Sequence, residues 1–326
     1  MSWQTFRSVV VTTLAIGAVL SAALSQAQSY PVKPIKVLVG FTAGGAVDLV
    51  ARTMGQAMSP ALGQPMVIEN KPGAGTNIAM RALIDAPADG YTLMVTANSV
   101  AANPALFQPA PFEPERDITP VALIGRVPVV IAASTTSPYA SIAQLIAAAK
   151  QKANSVSYGS PGNGSTPHMA IEFFSRAAGI DLQHVPYRGG SQAITDVMGG
   201  SLPLVAVNAL EVQPHVKAGK LRVLAVLSPN RSPIYPDAPT IAESGYPGFE
   251  ASVWYGFIAP ASTPKPIVSR LHDEVQKALQ SKEVRDRLAN AGGEVLPGSS
   301  EQFASLIRSE RQRYAKLVRE ANIKPD

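Results

Sequence analysis

Apolar positions along the chain follow two alternating rhythms. Short apolar runs such as IKVLVGF (35–41), PMVIEN (65–70) and YTLMVT (91–96) are separated by stretches 47–58 and 77–86, where apolar residues fall at helical spacing. This strand-helix order predicts an α/β layer with a largely parallel sheet. The Pro/Gly-rich joints NKPGAG and APADG fall between the elements, where turns belong. A second region repeats the theme: strands VPVVIAAS, VSYGS, LQHVPY, LPLVAVN and LRVLAVLS, with helices over 142–149, 168–178 and 191–198. After a Pro- and Tyr-rich stretch come a further strand, VWYGFIAP (253–260), and helical stretches over 264–281 and 300–322. In the last of these, Phe303, Leu306, Ile307, Tyr314, Leu317, Val318 and Ala321 share one face. No short tandem repeat is visible, which argues against a solenoid.

The first 27 residues break the pattern. One early Arg7 precedes an uncharged apolar run over 9–20, and Ser25 and Ala27 stand at −3 and −1 of a cut before Gln28. That is the arrangement of a cleaved export signal, so 1–27 are set apart from the fold and a periplasmic location is expected. An uncleaved interfacial anchor would need a charged face, which this run lacks. No later stretch approaches the roughly 20 apolar residues that cross a bilayer. The chain has no Cys, which excludes disulfides, thiolate metal sites, a Cys nucleophile and a lipid-modified Cys tether. A chain of this length can be held by its core alone, most simply as two domains. The net charge of +5 falls to +4 when Arg7 leaves, and the basic residues are scattered. The mixed-sign helix near the C-terminus reads as a solvated face, so no nucleic-acid partner is expected.

Two segments share a layout. In GFTAGGAVD (40–48) and YGSPGNGSTPHMA (158–170) a strand runs into a Gly/Ser/Thr loop and then a helix, once in each expected domain. Such a loop either makes an ordinary tight turn or exposes backbone N–H groups to an anion. If the domains face each other, both helix N-termini point into one cleft, and a carboxylate could be held there without Arg or Lys. Enzyme motifs do not appear at their spacings. GNGST is not the G-x-S-x-G elbow, and GFTAGG lacks the Lys of a phosphate loop and the dinucleotide G-x-G-x-x-G. His184, His215 and His272 lie apart without ligand spacing, so neither metal nor cofactor is expected. An exported α/β enzyme acting on small acids remains the alternative to a binding protein.

Seven collinear stretches resemble the periplasmic receptors of the tripartite tricarboxylate transporter system, the Bug family. They are YPVKPIKVLVGFTAGGAVDLVAR, VIENKPGAGTNIA, ADGYTLMV, SYGSPGNGSTPHMAIEFF, VPYRGGSQAITDVMGG, GKLRVLAVLS and WYGFIAPASTP, which together span the chain after its leader. The resemblance implies an α/β, two-lobed, type II-like periplasmic binding fold with a hinged cleft. The second lobe (127–254) would be inserted into the first (28–126 and 255–326). It further implies a monomer that captures a small carboxylate (a di- or tricarboxylate, an acidic amino acid or an aromatic acid) and presents it to membrane permease subunits or to a sensor kinase.

The same resemblance assigns candidate contacts. Phe41, Thr42, Ala43, Gly44 and Gly45 match the first-lobe loop. Asp48 serves either the dipole of its helix or a donor group on the ligand. Asn98 and Ser99 follow YTLMVT as cleft contacts or as a capped turn. Ser160, Asn163, Ser165 and Thr166 form the second-lobe loop, and His168 either touches ligand or bonds locally. Tyr187, Arg188, Gly189 and Gly190 match the loop that closes on ligand, with Arg188 a carboxylate clamp or a rim residue. Asn208 is a further candidate, and Trp254 and Tyr255 either wall the pocket or pack the hinge.

Overall fold

The computed structural model describes residues 30–324 except Arg188 and Ala291. The expected leader and Arg188 therefore lie outside the described residues.

The first strands are β1 (Ile35–Val39), β2 (Met66–Asn70) and β3 (Thr92–Thr96), with β1 paired in parallel to both others. β1 is buried at every position but Lys36, as a central strand covered on both faces must be. Between them run α1 (Ala46–Leu62), which ends at Gly63 in the left-handed conformation, and α2 (Asn77–Ile84). Next come α3 (Ser99–Leu106), the single turn α4 (Pro114–Asp117) and β4 (Ile118–Ser134).

β4 is the spine of the molecule. Its 17 residues reach roughly 56 Å, enough to run through both lobes. Its first part pairs antiparallel with β9 (Ser252–Pro260) as far as Pro128, and its last part pairs with β7 (Leu204–Asn208) and β8 (Leu221–Val226) from Val129 onward. The second lobe adds β5 (Ser157–Ser160) and β6 (Gln183–Pro186), parallel to each other, with α5 (Ile142–Gln151), α6 (Thr166–Ala178), α7 (Gly190–Met198) and α8 (Ala209–Lys217). The chain returns through β9 to α9 (Lys265–Gln280), α10 (Lys282–Asn290), the short β10 (Glu294–Val295) and α11 (Ser300–Ala321).

The sheet is mixed, where the strand-helix rhythm predicts a largely parallel one. Its order is β2-β1-β3-β9-β4-β7-β5-β6, and every pair made by β4 or β9 is antiparallel. The parallel wings come from local βαβ units. The antiparallel centre exists because one strand carries the chain into the second lobe and another brings it back.

Besides the single turn α4, three helices escape the periodicity. α3 is buried almost all round, so it shows no polar face, and α8 and α10 are short with few apolar residues. α11 follows its pattern: Phe303, Ile307, Tyr314 and Leu317 are buried beside α3, and a reciprocal Ser299–Gln302 capping box starts it. No helix among the described residues is long and apolar enough to cross a membrane.

Candidate functional site

Four helices of the two lobes begin at one cleft. Their N-cap residues are Gly45 (α1), Ser165 (α6), Gly189 (α7) and Asn208 (α8), and all four line it. Each helix start leaves backbone N–H groups without intrahelical partners and carries partial positive charge, which favours an anion there although no cationic side chain stands among the described lining. The space between the lobes is about 640 Å³, part of it open to solvent. Phe41, Thr42, Ala43, Pro161, Thr166, Gly190, Val253 and Tyr255 complete most of the wall. The loops face each other closely: a side chain placed on Gly189 would come within 3.8 Å of Thr42 Oγ1.

The first-lobe loop turns through Gly44 at φ +84°, a conformation that glycine adopts without strain. The Gly44 N–H is consumed within the loop, donating to Asp48 Oδ2 at 2.9 Å. Arg52 Nε donates to the same oxygen at 2.9 Å, and Asn70 Nδ2 donates to Oδ1 at 2.9 Å and to the Phe41 carbonyl at 3.0 Å. Burial alone would raise the Asp48 pKa, but the donors from Arg52, Gly44 and Asn70 outweigh it and hold it below the ordinary value. Asp48 is thus buried behind the lining as a brace for the loop. Its two oxygens are already engaged by protein donors.

The second-lobe loop is braced by histidines. His168 Nδ1 accepts from Gly164 N at 3.0 Å, and Ser165 Oγ caps α6 by accepting from His168 N at 3.4 Å. The His168 ring stacks on His184 at 3.9 Å between centroids, and His184 Nε2 lies 2.7 Å from Ser160 Oγ. Ser160 and His168 are buried behind the lining, and Asn163 also stands outside it. Burial, with His184 adding to it, lowers the His168 pKa to about 3, and burial lowers that of His184 to about 4. In an unfolded chain both rings take up protons near pH 6.5. Below that pH the unfolded state holds more protons, so the stack's contribution is complete above about pH 6.5 and drains away as pH falls. Urea unfolding should show a loss of about 1–2 kcal/mol between pH 7.5 and 6.0. A level stability over that interval would contradict a neutral stacked pair.

Tyr187 also turns from the cleft, donating its hydroxyl to Asp196 Oδ2 at 2.5 Å; burial and this carboxylate push its pKa up to about 12. Ser99 is buried and accepts from Thr76 Oγ1 at 3.1 Å. Asn98 binds protein groups of the return strand β9 and of α11: Oδ1 accepts from Trp254 N at 3.0 Å, and Nδ2 donates to Tyr314 Oη at 3.0 Å and to the Ser252 carbonyl at 3.2 Å. Of the aromatic pair at the return crossing, Tyr255 lines the cleft, while Trp254 packs edge-on against Phe303.

The structure therefore gathers Phe41, Thr42, Ala43, Gly45, Ser165, Thr166, Gly189, Gly190 and Asn208 around one space, and sets Gly44, Asp48, Asn98, Ser99, Ser160, Asn163, His168 and Tyr187 outside its lining. It adds Glu211, the acidic member of the lining, which sequence reasoning passed over. An Asn followed three residues later by Glu is a helix-start pattern, and it was the signal available for this corner. Among the described residues no group of His, Asp or Glu could hold a metal ion.

Residues 50–323 match the tripartite tricarboxylate transporter family receptor. Protein BugT of Bordetella pertussis is 35% identical over 318 residues, 97% of this chain and 96% of its own. Among solved structures, Rpa4515 of R. palustris with adipate is 34% identical with a TM-score of 0.85, covering 91% of this chain and 100% of its own. MatC of Rhodopseudomonas palustris with bound malate is 31% identical with a TM-score of 0.82, covering 89% of this chain and 100% of its own. With a two-lobed α/β architecture, a cleft of converging helix starts and likeness over nearly its full length, the chain belongs to the Bug-type tripartite tricarboxylate transporter receptors, a family of periplasmic solute-binding proteins and not of enzymes.

Proposed function

We propose that this receptor captures a small organic carboxylate in the periplasm and delivers it to a tripartite tricarboxylate transporter. The mature chain begins after a leader of 27 residues; its first lobe comprises 28–126 and 255–326 and its second 127–254. The observation that carries the reading is the convergence of four helix N-termini from both lobes on one cleft. A carboxylate there would accept from amides of α1 in one lobe and of α6 in the other, as charge-assisted hydrogen bonds. Because both lobes contribute donors, the ligand holds them together and shifts the population towards the closed form, which is the form a permease would recognise. The adipate and malate found in two relatives belong to the same ligand class.

Thermal melting against a panel of carboxylates tests this. A ligand at one hundred times its dissociation constant should add about 2.7 kcal/mol of stability. A panel that produces no saturable shift would overturn the reading. Two substitutions separate contact from scaffold. Ser165→Ala removes the α6 cap and should lower stability by about 1 kcal/mol as well as weaken binding. Thr166→Ala, in the same wall, removes one hydroxyl and should weaken binding by a few-fold with stability changed by less than about 0.5 kcal/mol, since Thr166 Oγ1 is not the capping group. Urea unfolding and calorimetric titration of the pair would show whether these effects divide in that way.

A further inference from the structure

Glu211 sits at the third position of α8 and enters the cleft from the second lobe. Its Oε1 accepts from Asn208 Nδ2 at 2.8 Å. Its Oε2 lies against the start of α7: a side chain on Gly190 would meet that oxygen at 2.0 Å, so only glycine lets the carboxyl approach. A carboxyl group of the protein thus occupies the place beside a helix N-terminus that a second ligand carboxylate would seek.

A helix-capping role accounts for Oε1 and for an acidic residue at this position. It does not account for the unspent polar groups around it, an amide oxygen that can only accept and a phenol that can accept or donate. Asn208 is 9% exposed and Tyr255 1% exposed, yet Asn208 Oδ1 and the Tyr255 hydroxyl have no hydrogen-bond partner among the described residues. Both residues line the same cleft as Glu211. Buried polar atoms left unpaired are costly, and here they share one corner with a carboxyl oxygen. Burial pushes the Glu211 carboxyl above the ordinary Glu range even though Asn208 donates to it. Asp48, whose oxygens are engaged within the first-lobe loop, does not compete for a donor on the ligand.

We propose that Glu211 stands in for a second ligand carboxylate, so that the cleft selects monocarboxylates whose far end carries an amino or amide N–H over dicarboxylates. The ligand's single carboxylate takes the amides of α1 and α6, and its far end donates to Glu211 Oε2 and Asn208 Oδ1. A second carboxylate in that corner would set its oxygens against the acceptors Glu211 Oε2 and Asn208 Oδ1, whereas an N–H would donate to both. The proposal rests on the cleft being the carboxylate site.

Calorimetric titration with length-matched sets tests it: succinate, its monoamide and 4-aminobutanoate; adipate, its monoamide and 6-aminohexanoate; terephthalate, its monoamide and 4-(aminomethyl)benzoate. The wild-type protein should bind an N–H-bearing member at least about tenfold more tightly than the dicarboxylate of its set. Glu211→Ala should cut that ratio by about tenfold or more, and Glu211→Gln, which keeps the bond from Asn208, should move it in the same direction. A dicarboxylate that binds the wild type as well as its partners would overturn the proposal without any variant. So would an unchanged ratio in either variant with wild-type circular dichroism. Binding that is lost in Gly45→Pro but indifferent to the far end would remove this proposal and leave the carboxylate site standing; no saturable binding by any member would remove both.

Discussion

Gly45→Pro is expected to cost about ten- to hundredfold in carboxylate affinity while leaving a folded protein. Gly45 has φ −79° and ψ 173°, which the proline ring can adopt, and a Cβ there meets nothing closer than the Thr42 carbonyl oxygen at 3.6 Å. The substitution therefore changes little but the N–H at the head of α1. A hydrogen bond to a charged group is worth about 1.5–3 kcal/mol, and removing the donor forfeits it. With ligand at one hundred times the wild-type dissociation constant, a hundredfold weaker variant should keep only about 0.4 kcal/mol of the stabilisation. Gly44 is the internal contrast. Its N–H is already engaged by Asp48, so its value lies in the turn at φ +84°, and Gly44→Ala should lower stability by roughly 1 kcal/mol through backbone strain. A melting shift in Gly45→Pro equal to that of the wild type would remove α1 from the carboxylate site.

Asn98→Ala is expected to lower unfolding free energy by about 2–4 kcal/mol. The side chain is 2% exposed and joins three segments distant in sequence: the end of β3, the return strand β9 and the last helix α11. Alanine would strand the Trp254 N–H, the Tyr314 hydroxyl and the Ser252 carbonyl in a buried place. A group left unsatisfied there costs more than the net worth of the bond it made. Urea denaturation should show a lower midpoint at unchanged slope. Intact stability with a large loss of affinity would instead place Asn98 against the ligand and overturn the structural role.

Asn98 also shows where sequence reading stops. Its position after a parallel strand marks it as polar and near the carboxyl end of the sheet, which suits a ligand contact and an internal tie equally. Only the fold brings Trp254 and Tyr314 to it, from more than 150 residues away. Asp48 is similar: the first turn of α1 predicts an acid, but the three donors that engage it arrive from the turn, the helix and β2. Glu211 escaped notice for the converse reason. An isolated Glu in a short, weakly patterned helix carries no sign of the glycine that opposes it across the lobe.

What the sequence determined by itself is whatever depends on neighbours along the chain. The strand-helix rhythm, the glycine breaks after β1 and β5, the caps at Ser165 and Ser299 and the apolar face of α11 are local, because helix and strand periods and turn chemistry act over a few residues. The tertiary structure decided what depends on distance. It set the antiparallel centre where β4 and β9 carry the chain between lobes, directed four separate helix starts at one space, and divided the polar residues beside that space into those that face it and those that brace it. A side chain's partners are chosen by packing across the sheet, and no local pattern encodes which hydrogen bonds remain unspent.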